Sequence, residues 1–397
     1  MQATEQPGLT LRGRVFDRGR FLDDGWVRME RRVLTDLGTG RPPAGPQLEV
    51  PDGWIVPGFV DLHVHGGVGA DFGDPDLTSA GRIARHLARR GTTSFMASLL
   101  SSPRVALLAA LENLSRFQSE DDLAGSLLGV HFEGPFLNPV MRGAHPVEHL
   151  QAPSPGLARE LSERVPAGLV RLFTLAPELP GAMELIRELL AAGCLVALGH
   201  SRATYEQARE AMALGARHAT HLFNAMTALH HRSPGIVGAF LDDAEATVEL
   251  IPDGVHVHPV MLRAVARIKG ADRMIGVTDA IAVAGLPPGT HGWRGRDVTV
   301  RQGGAYLPGG TLAGSRIDLA EALRMLTSAG VELAVALRML TETPARLAGR
   351  LSDRGTLEPG KRADVVVLGP RLEVLRTYVE GAVFEPSATN RCEDMRG

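Results

Sequence analysis

The chain has 397 residues, 44% hydrophobic and 22% charged, with a formal net charge of -3 at pH 7. That size and composition suit an ordinary globular chain with one large domain and a small appendage. The weak charge balance argues against nucleic acid as a partner, and no apolar run is long enough to span a membrane.

The opening "MQATEQPGLT" lacks a basic stretch followed by an apolar core, so it does not read as a secretory signal. Residues 1–56 alternate short strand-like pieces ("LRGRVF", "GWVRME") with Gly/Pro-rich turns, which predicts small antiparallel β structure. The pattern then changes to apolar strands separated by helical stretches. The strands are "IVPGFVDLHVHG", "TTSFMASLL", "LLGVHFEGP", "VRLFTLAP", "LVALGHS", "HATHLF", "TVELIPDG" and "RMIGVTDA". "LTSAGRIARHLARRG" and "TYEQAREAMALGA" are examples of the helices between them. Eight such strands predict an α/β fold of the (β/α)₈ barrel type over 57–356. Residues 357–397 again look like short strands and should pair with 1–56 as one small, sandwich-like β domain. The two cysteines, Cys194 and Cys392, have no paired spacing. Cys194 reads as a small core residue, and a reducing cytoplasm is the expected compartment.

Barrel enzymes place their chemistry at the C-terminal ends of the strands. Here those ends carry His63 and His65, Glu133, His200, His221 and Asp279. Residues i and i+2 of a strand share a face, so His63 and His65 project together. Two neutral imidazoles side by side can share a divalent cation, and the glycines after them are expected to clear space for substrate. A buried glutamate needs a cation or hydrogen bonds. Glu133, His200 and His221 therefore suit zinc or a similar metal with an open position for water. Asp279, in "GVTDA", reads either as a helix N-cap or as a proton shuttle.

The remaining histidines divide by position. His86 reads as surface and His291 as a solvated loop residue. His131 and His218 read as core or as support behind the strand-end ligands. His145, the run His230, His231 and Arg232, and His256 lie on βα loops where a substrate can touch them.

The motifs "PGFVDLHVHGG", "HFEGPFLNP", "RGAHP", "THLFNAMTALHHRSPGIVGAF", "LIPDGVHVHP", "VTDAIAVAGLPPG" and "GGTLAGS" resemble the N-acetylglucosamine-6-phosphate deacetylases of the amidohydrolase superfamily. The resemblance covers nearly the whole chain. It implies hydrolysis of an N-acetyl amino-sugar phosphate in amino-sugar catabolism, with one or two divalent cations per subunit, zinc foremost. It implies a main metal site of Glu133, His200 and His221, a second beside His63 and His65, and Asp279 as the catalytic acid/base. Substrate contacts implied are Ala144, His145, Asn224, Ala225, Arg232, His256, Leu312, Ala313 and Gly314. It further implies a homodimer in which Arg232 reaches the neighbouring subunit's substrate. Only two lysines occur, Lys269 and Lys361, and neither ends a barrel strand, so a carboxylated lysine cannot bridge two metals. The rival readings are another N-acetylhexosamine phosphate, such as N-acetylgalactosamine 6-phosphate, a cyclic imide, or a binding protein without catalysis.

Overall fold

The computed structural model describes residues 8–386; Cys392 lies outside them. All eight expected strands form one parallel sheet. In chain order they are β1 (Phe59–Val64), β2 (Thr92–Leu100), β3 (Leu127–Glu133), β4 (Val170–Leu175), β5 (Leu195–Leu198), β6 (His218–Ala219), β7 (Thr247–Leu250) and β8 (Met274–Gly276). Each pairs with the next. The ends meet just beyond the ladder: Asp279 N donates to the His63 carbonyl at 2.8 Å, and His65 N to the Ala280 carbonyl at 2.8 Å. These bonds close the barrel on the rim that carries the polar strand ends.

The strand patterns explain the packing. Val60, Leu62, Met96, Leu128, Leu172 and Ile275 fill the barrel interior, while Phe95, Val130, Phe132 and Phe173 pack outward under the helices. Two apolar faces per strand are what a buried parallel sheet requires. Helix Ser79–Arg89 buries Ala80, Ile83, Ala84, Leu87 and Ala88, an i, i+3, i+4 stripe. Helix Tyr205–Leu214 starts on a capping box of Thr204 and Gln207 and stops at Gly215.

The chain ends meet in a seven-stranded sheet. Its order is Ala382–Phe384, Val374–Val379, Val365–Leu368, Gln47–Pro57, Leu9–Asp17, Arg20–Glu30, Val33–Thr39. Leu9–Asp17 runs parallel to Gln47–Pro57, and the latter antiparallel to Val365–Leu368, so N- and C-terminal segments share one ladder over their own core of Leu11, Val15, Ile55 and Val365.

Three expectations need correction. Residues 289–314 form a four-stranded antiparallel sheet, Gly289–Trp293, Arg296–Arg301, Gly304–Tyr306 and Leu312–Gly314, so His291 sits in a strand and its Nε2 lies 2.8 Å from the Pro287 carbonyl. His86 is half-buried rather than freely exposed, with its ring against Gly67 and Gly285. Nor do Gly66 and Gly67 clear space for substrate. A Cβ on Gly66 would stand 2.2 Å from the Ala70 carbonyl oxygen, and one on Gly67 3.1 Å from His86 Cδ2. Those glycines allow the loop after β1 to pack against the loop after β8.

Candidate metal centre and active site

Five imidazoles converge on one carboxylate at the barrel mouth. Glu133 ends β3, and its Oε1 lies 3.0 Å from Nε2 of both His200 and His221. Its Oε2 lies 3.1 Å from His145 Nε2 and 3.3 Å from His65 Nε2. The two Nε2 atoms of His200 and His221 are themselves 3.0 Å apart, as are those of His63 and His65 at 3.2 Å. Asp279 Oδ1 stands 3.2 Å from His65 Nε2 and 3.4 Å from His63 Nε2. Glu133, His63 and His65 are buried, and so are His145, His200 and His221.

The backbone reaches this arrangement through unusual conformations. His200, His221 and Asp279 have φ of 47°, 29° and 49°, with Phe223 and Ala225 also positive. Non-glycine residues rarely occupy this region, and such strain concentrates at functional sites. It also ends β6 at Ala219 and β8 at Gly276, earlier than the apolar runs suggest, and turns the next side chains into the mouth.

The ring nitrogens show what the cluster can hold. His200 Nδ1 donates to the Met141 carbonyl at 2.8 Å, and His65 Nδ1 to the Ser98 carbonyl at 3.1 Å. Carbonyls only accept, so both protons sit on Nδ1 and both Nε2 lone pairs face the cluster. His63 Nδ1 is held by Glu249 Oε2 at 3.2 Å. Imidazoles oriented this way by carbonyls and carboxylates are typical of metal ligands. The ligand atoms of His63, His65 and Glu133 lie within 4.8 Å of one another, and so do those of Glu133, His145 and His200. Tetrahedral zinc with bonds of about 2.0–2.1 Å would separate its ligands by roughly 3.3 Å, close to these spacings. The donor set therefore fits a divalent cation.

The electrostatics agree. Burial pushes the Glu133 carboxyl up, but the imidazoles around it, His145 and His63 foremost, outweigh burial and hold it well below the ordinary glutamate range. Burial lowers His65, yet Asp279 and Glu133 reverse this and raise it to about 9. Positive charge is thus demanded between these groups, and a cation supplies what protons otherwise must. His145 behaves differently: burial outweighs Glu133 and lowers it to about 4, so it is neutral at pH 7.

Behind the cluster stand supporting groups, of which Glu249 and Asp61 were not singled out in the sequence and His218 and His131 were. Glu249, wholly buried on β7, binds His63 Nδ1 through Oε2 and His218 Nε2 through Oε1 at 2.9 Å. His218 Nδ1 meets Thr247 Oγ1 at 2.8 Å, so His218 is support rather than ligand. His131 bonds Ser98 Oγ at 3.0 Å and Thr174 Oγ1 at 2.7 Å, and burial together with His63 holds it well below its usual pKa. Asp61 accepts from Thr278 Oγ1 at 2.6 Å and from His63 N at 3.2 Å, tying β1 to the residue before Asp279; burial raises its carboxyl to about 7.

A cavity of about 310 Å³ opens over the cluster. Its walls include Ala144, His145, Asn224, Ala225, His256, Leu312, Ala313 and Gly314, with Glu133, His65, His200, His221 and Asp279 at the bottom. Leu100, Val140, Met141, Gly143 and Thr311 also line it and were not expected. His256 Nδ1 is 2.6 Å from Asp253 Oδ2. Asp253 outweighs burial and raises the His256 pKa. Arg232 is elsewhere. It is exposed in the loop after β6, with Nη1 2.9 Å from His231 Nε2, and it does not line the cavity of its own chain.

Comparison with known proteins agrees with this geometry. The model of the amidohydrolase family matches residues 54–384. The N-acetylglucosamine-6-phosphate deacetylase of Bacillus subtilis (strain 168) is 33% identical over 93% of this chain and 95% of its own length. The N-acetylgalactosamine-6-phosphate deacetylase of Escherichia coli O157:H7 is 37% identical over 93% of this chain and 97% of its own. A solved structure of a mutant N-acetyl-D-glucosamine-6-phosphate deacetylase from Mycobacterium smegmatis, in complex with N-acetyl-D-glucosamine 6-phosphate, superposes with a TM-score of 0.89 at 34% identity, covering 95% of this chain and 98% of that one. Closed barrel, strand-end cluster and this extent of similarity together place the chain: it belongs to the amidohydrolase family.

Proposed function

We propose that the chain hydrolyses the acetamide of N-acetyl-D-glucosamine 6-phosphate to D-glucosamine 6-phosphate and acetate, as a step of amino-sugar catabolism in the cytoplasm. The observation that carries the reading is the convergence of Glu133 and five imidazoles beneath a cavity that also holds Asp279. Relatives named for this reaction match nearly the whole chain.

In this reading Glu133, His200 and His221 hold a divalent cation, with zinc the best match to the nitrogen-rich donor set. His63 and His65, beside Glu133, would hold a second one. Such a cation polarises a carbonyl and makes water nucleophilic at neutral pH. Asp279 accepts the proton of the attacking water and passes it to the amine as the C–N bond breaks. Neutral His145, fixed through Nδ1 by Ser101 Oγ at 2.9 Å, orients Glu133 and borders the acetyl end of the cavity. His256, held by Asp253, and Asn224 contact the sugar. The backbone at Leu312, Ala313 and Gly314, with Ala144 and Ala225, shapes the opposite walls. The exposed position of Arg232 outside its own cavity supports a dimer in which it binds the phosphate in the neighbouring subunit, where a guanidinium fork suits phosphate geometry. The shared ladder of the chain ends supports a two-domain division, 1–56 with 357–397, and 57–356.

The 37% identical galactosamine relative favours one second reading, the galacto epimer. Acetate release from three amides separates the cases: N-acetylglucosamine 6-phosphate, N-acetylgalactosamine 6-phosphate, and unphosphorylated N-acetylglucosamine. The gluco phosphate should give the highest kcat/KM. A preference for the galacto phosphate would move the assignment to that epimer. Equal turnover without phosphate would overturn the sugar-phosphate reading.

A further inference from the structure

We propose that the hairpin turn at residues 293–296 is a strut for the cavity wall. In it Arg296 is a positioning residue that fixes the loop bearing Ala144 and His145 for substrate binding. The reaction it serves is the deacetylation proposed above, and the inference rests on that reading.

The turn belongs to the four-stranded sheet, where Trp293 pairs with Arg296 across Arg294 and Gly295. Both central residues have positive φ, 51° and 74°, the type I′ geometry that matches strand twist. Arginine rarely accepts that conformation. Here its side chain is held by two other loops: Arg294 Nη1 lies 3.0 Å from Asp71 Oδ1, after β1, and Nη2 bonds Ser102 Oγ, after β2. Trp293 Nε1 donates to the other oxygen of Asp71 at 2.8 Å. Arg296 Nη1 donates to the Ala144 carbonyl at 2.8 Å, after β3. One turn of four residues thus ties together three consecutive βα loops.

The packing points the same way. Trp293 is 3% exposed and lies in a small core that contains Leu100 and Ala313, with Ala144 packed against it. Those three residues are also cavity wall. The Arg296 guanidinium stacks on the Trp293 ring at 5.1 Å. Its Nε and Nη2 are buried without a hydrogen-bond partner in the protein, so the Ala144 carbonyl is the one protein acceptor that this half-buried group meets. That carbonyl precedes His145, whose Nε2 meets Glu133. Without the bond, the loop is free to drift from the position that shapes the cavity, while the contact between Glu133 and His221, which come from two other strand ends, stays in place.

The test uses Arg296→Met, which keeps the stem on Trp293 and removes the donor. KM for N-acetyl-D-glucosamine 6-phosphate should rise about tenfold, the loss expected for one charge-assisted hydrogen bond. Turnover should change by less than about twofold, with metal content and Tm near native. Amide exchange in 139–149 should quicken while that in 205–214 stays unchanged. Arg296→Lys, which keeps the charge and a donor, should restore part of the affinity. Native KM and native exchange at 139–149 in Arg296→Met would overturn the proposal, as would loosening spread evenly over the chain. If the unmodified enzyme does not hydrolyse this substrate, the functional reading fails by itself, and the exchange data still decide the strut.

Discussion

Asp279 has the most exacting role of any single residue in this account, and its test is nearly isosteric. Asp279→Asn keeps the shape but not the basicity, so folding and metal content should persist while kcat falls by ~10²–10⁴-fold or more. Steady-state kinetics beside metal analysis would show it; a near-native kcat would make Asp279 a cap or a support. Glu249 is the residue that sequence reading passed over. It lies in the middle of an apolar strand, "TVEL", where a strand-end rule does not look, and nothing local reveals that His63 and His218 will meet it. A buried glutamate inside a strand needs partners, and that was the available signal. Glu249→Gln leaves one amide facing two imidazoles that both rely on a carboxylate. Metal affinity at the His63 and His65 positions should fall ~10–100-fold, measured by competition with a chromophoric chelator. Native affinity would show that Glu249 only fills space. By contrast His63, His65, Glu133, His200, His221 and Asp279 were legible because each interrupts or ends an apolar run with a ligand-type side chain.

At the scale of elements, the eight strands could be read because each carries a continuous apolar run bounded by turns. The sheet at 289–314 could not: its strands are three to six residues long, and "GTHGW" and "GAY" carry too few β-branched residues to stand out. The role of Gly66 and Gly67 was misread for a related reason. What approaches them is a tertiary fact: the Ala70 carbonyl at Gly66, and His86 of helix Ser79–Arg89 at Gly67. That histidine yields a prediction on stability. Burial, helped by Arg90, lowers its pKa to about 4, below the unfolded value of about 6.5. As pH falls through the unfolded pKa, the unfolded chain takes up a proton that the folded chain refuses. The contribution is therefore complete above about pH 6.5, shrinks as pH falls to about 4, and is not lost further below that. His86→Gln cannot titrate. Urea unfolding near pH 7 and near pH 5 should show the parent losing more stability than this variant over that interval; equal losses would mean that His86 is solvated.

For the whole molecule, the open matter is whether one chain builds a complete site. Arg232 is exposed and outside its own cavity, and sequence alone cannot show a residue that works across an interface. Co-expression of Arg232→Ala with Asp279→Asn, under different tags, gives a heterodimer that decides it. If Arg232 serves the partner, one site carries both substitutions and the other none, so activity should recover to about half of native. If it serves its own chain, both sites stay impaired. No helix among the described residues is long and apolar enough to cross a membrane. The claim on which everything else depends is metal-dependent deacetylation, and one measurement bears on it most directly. Purified protein is assayed for acetate release from N-acetyl-D-glucosamine 6-phosphate as isolated, after exhaustive chelation, and after zinc is restored, with bound metal counted at each stage. Activity should fall with the metal and return with it. Full activity in protein shown to hold no metal would contradict that claim.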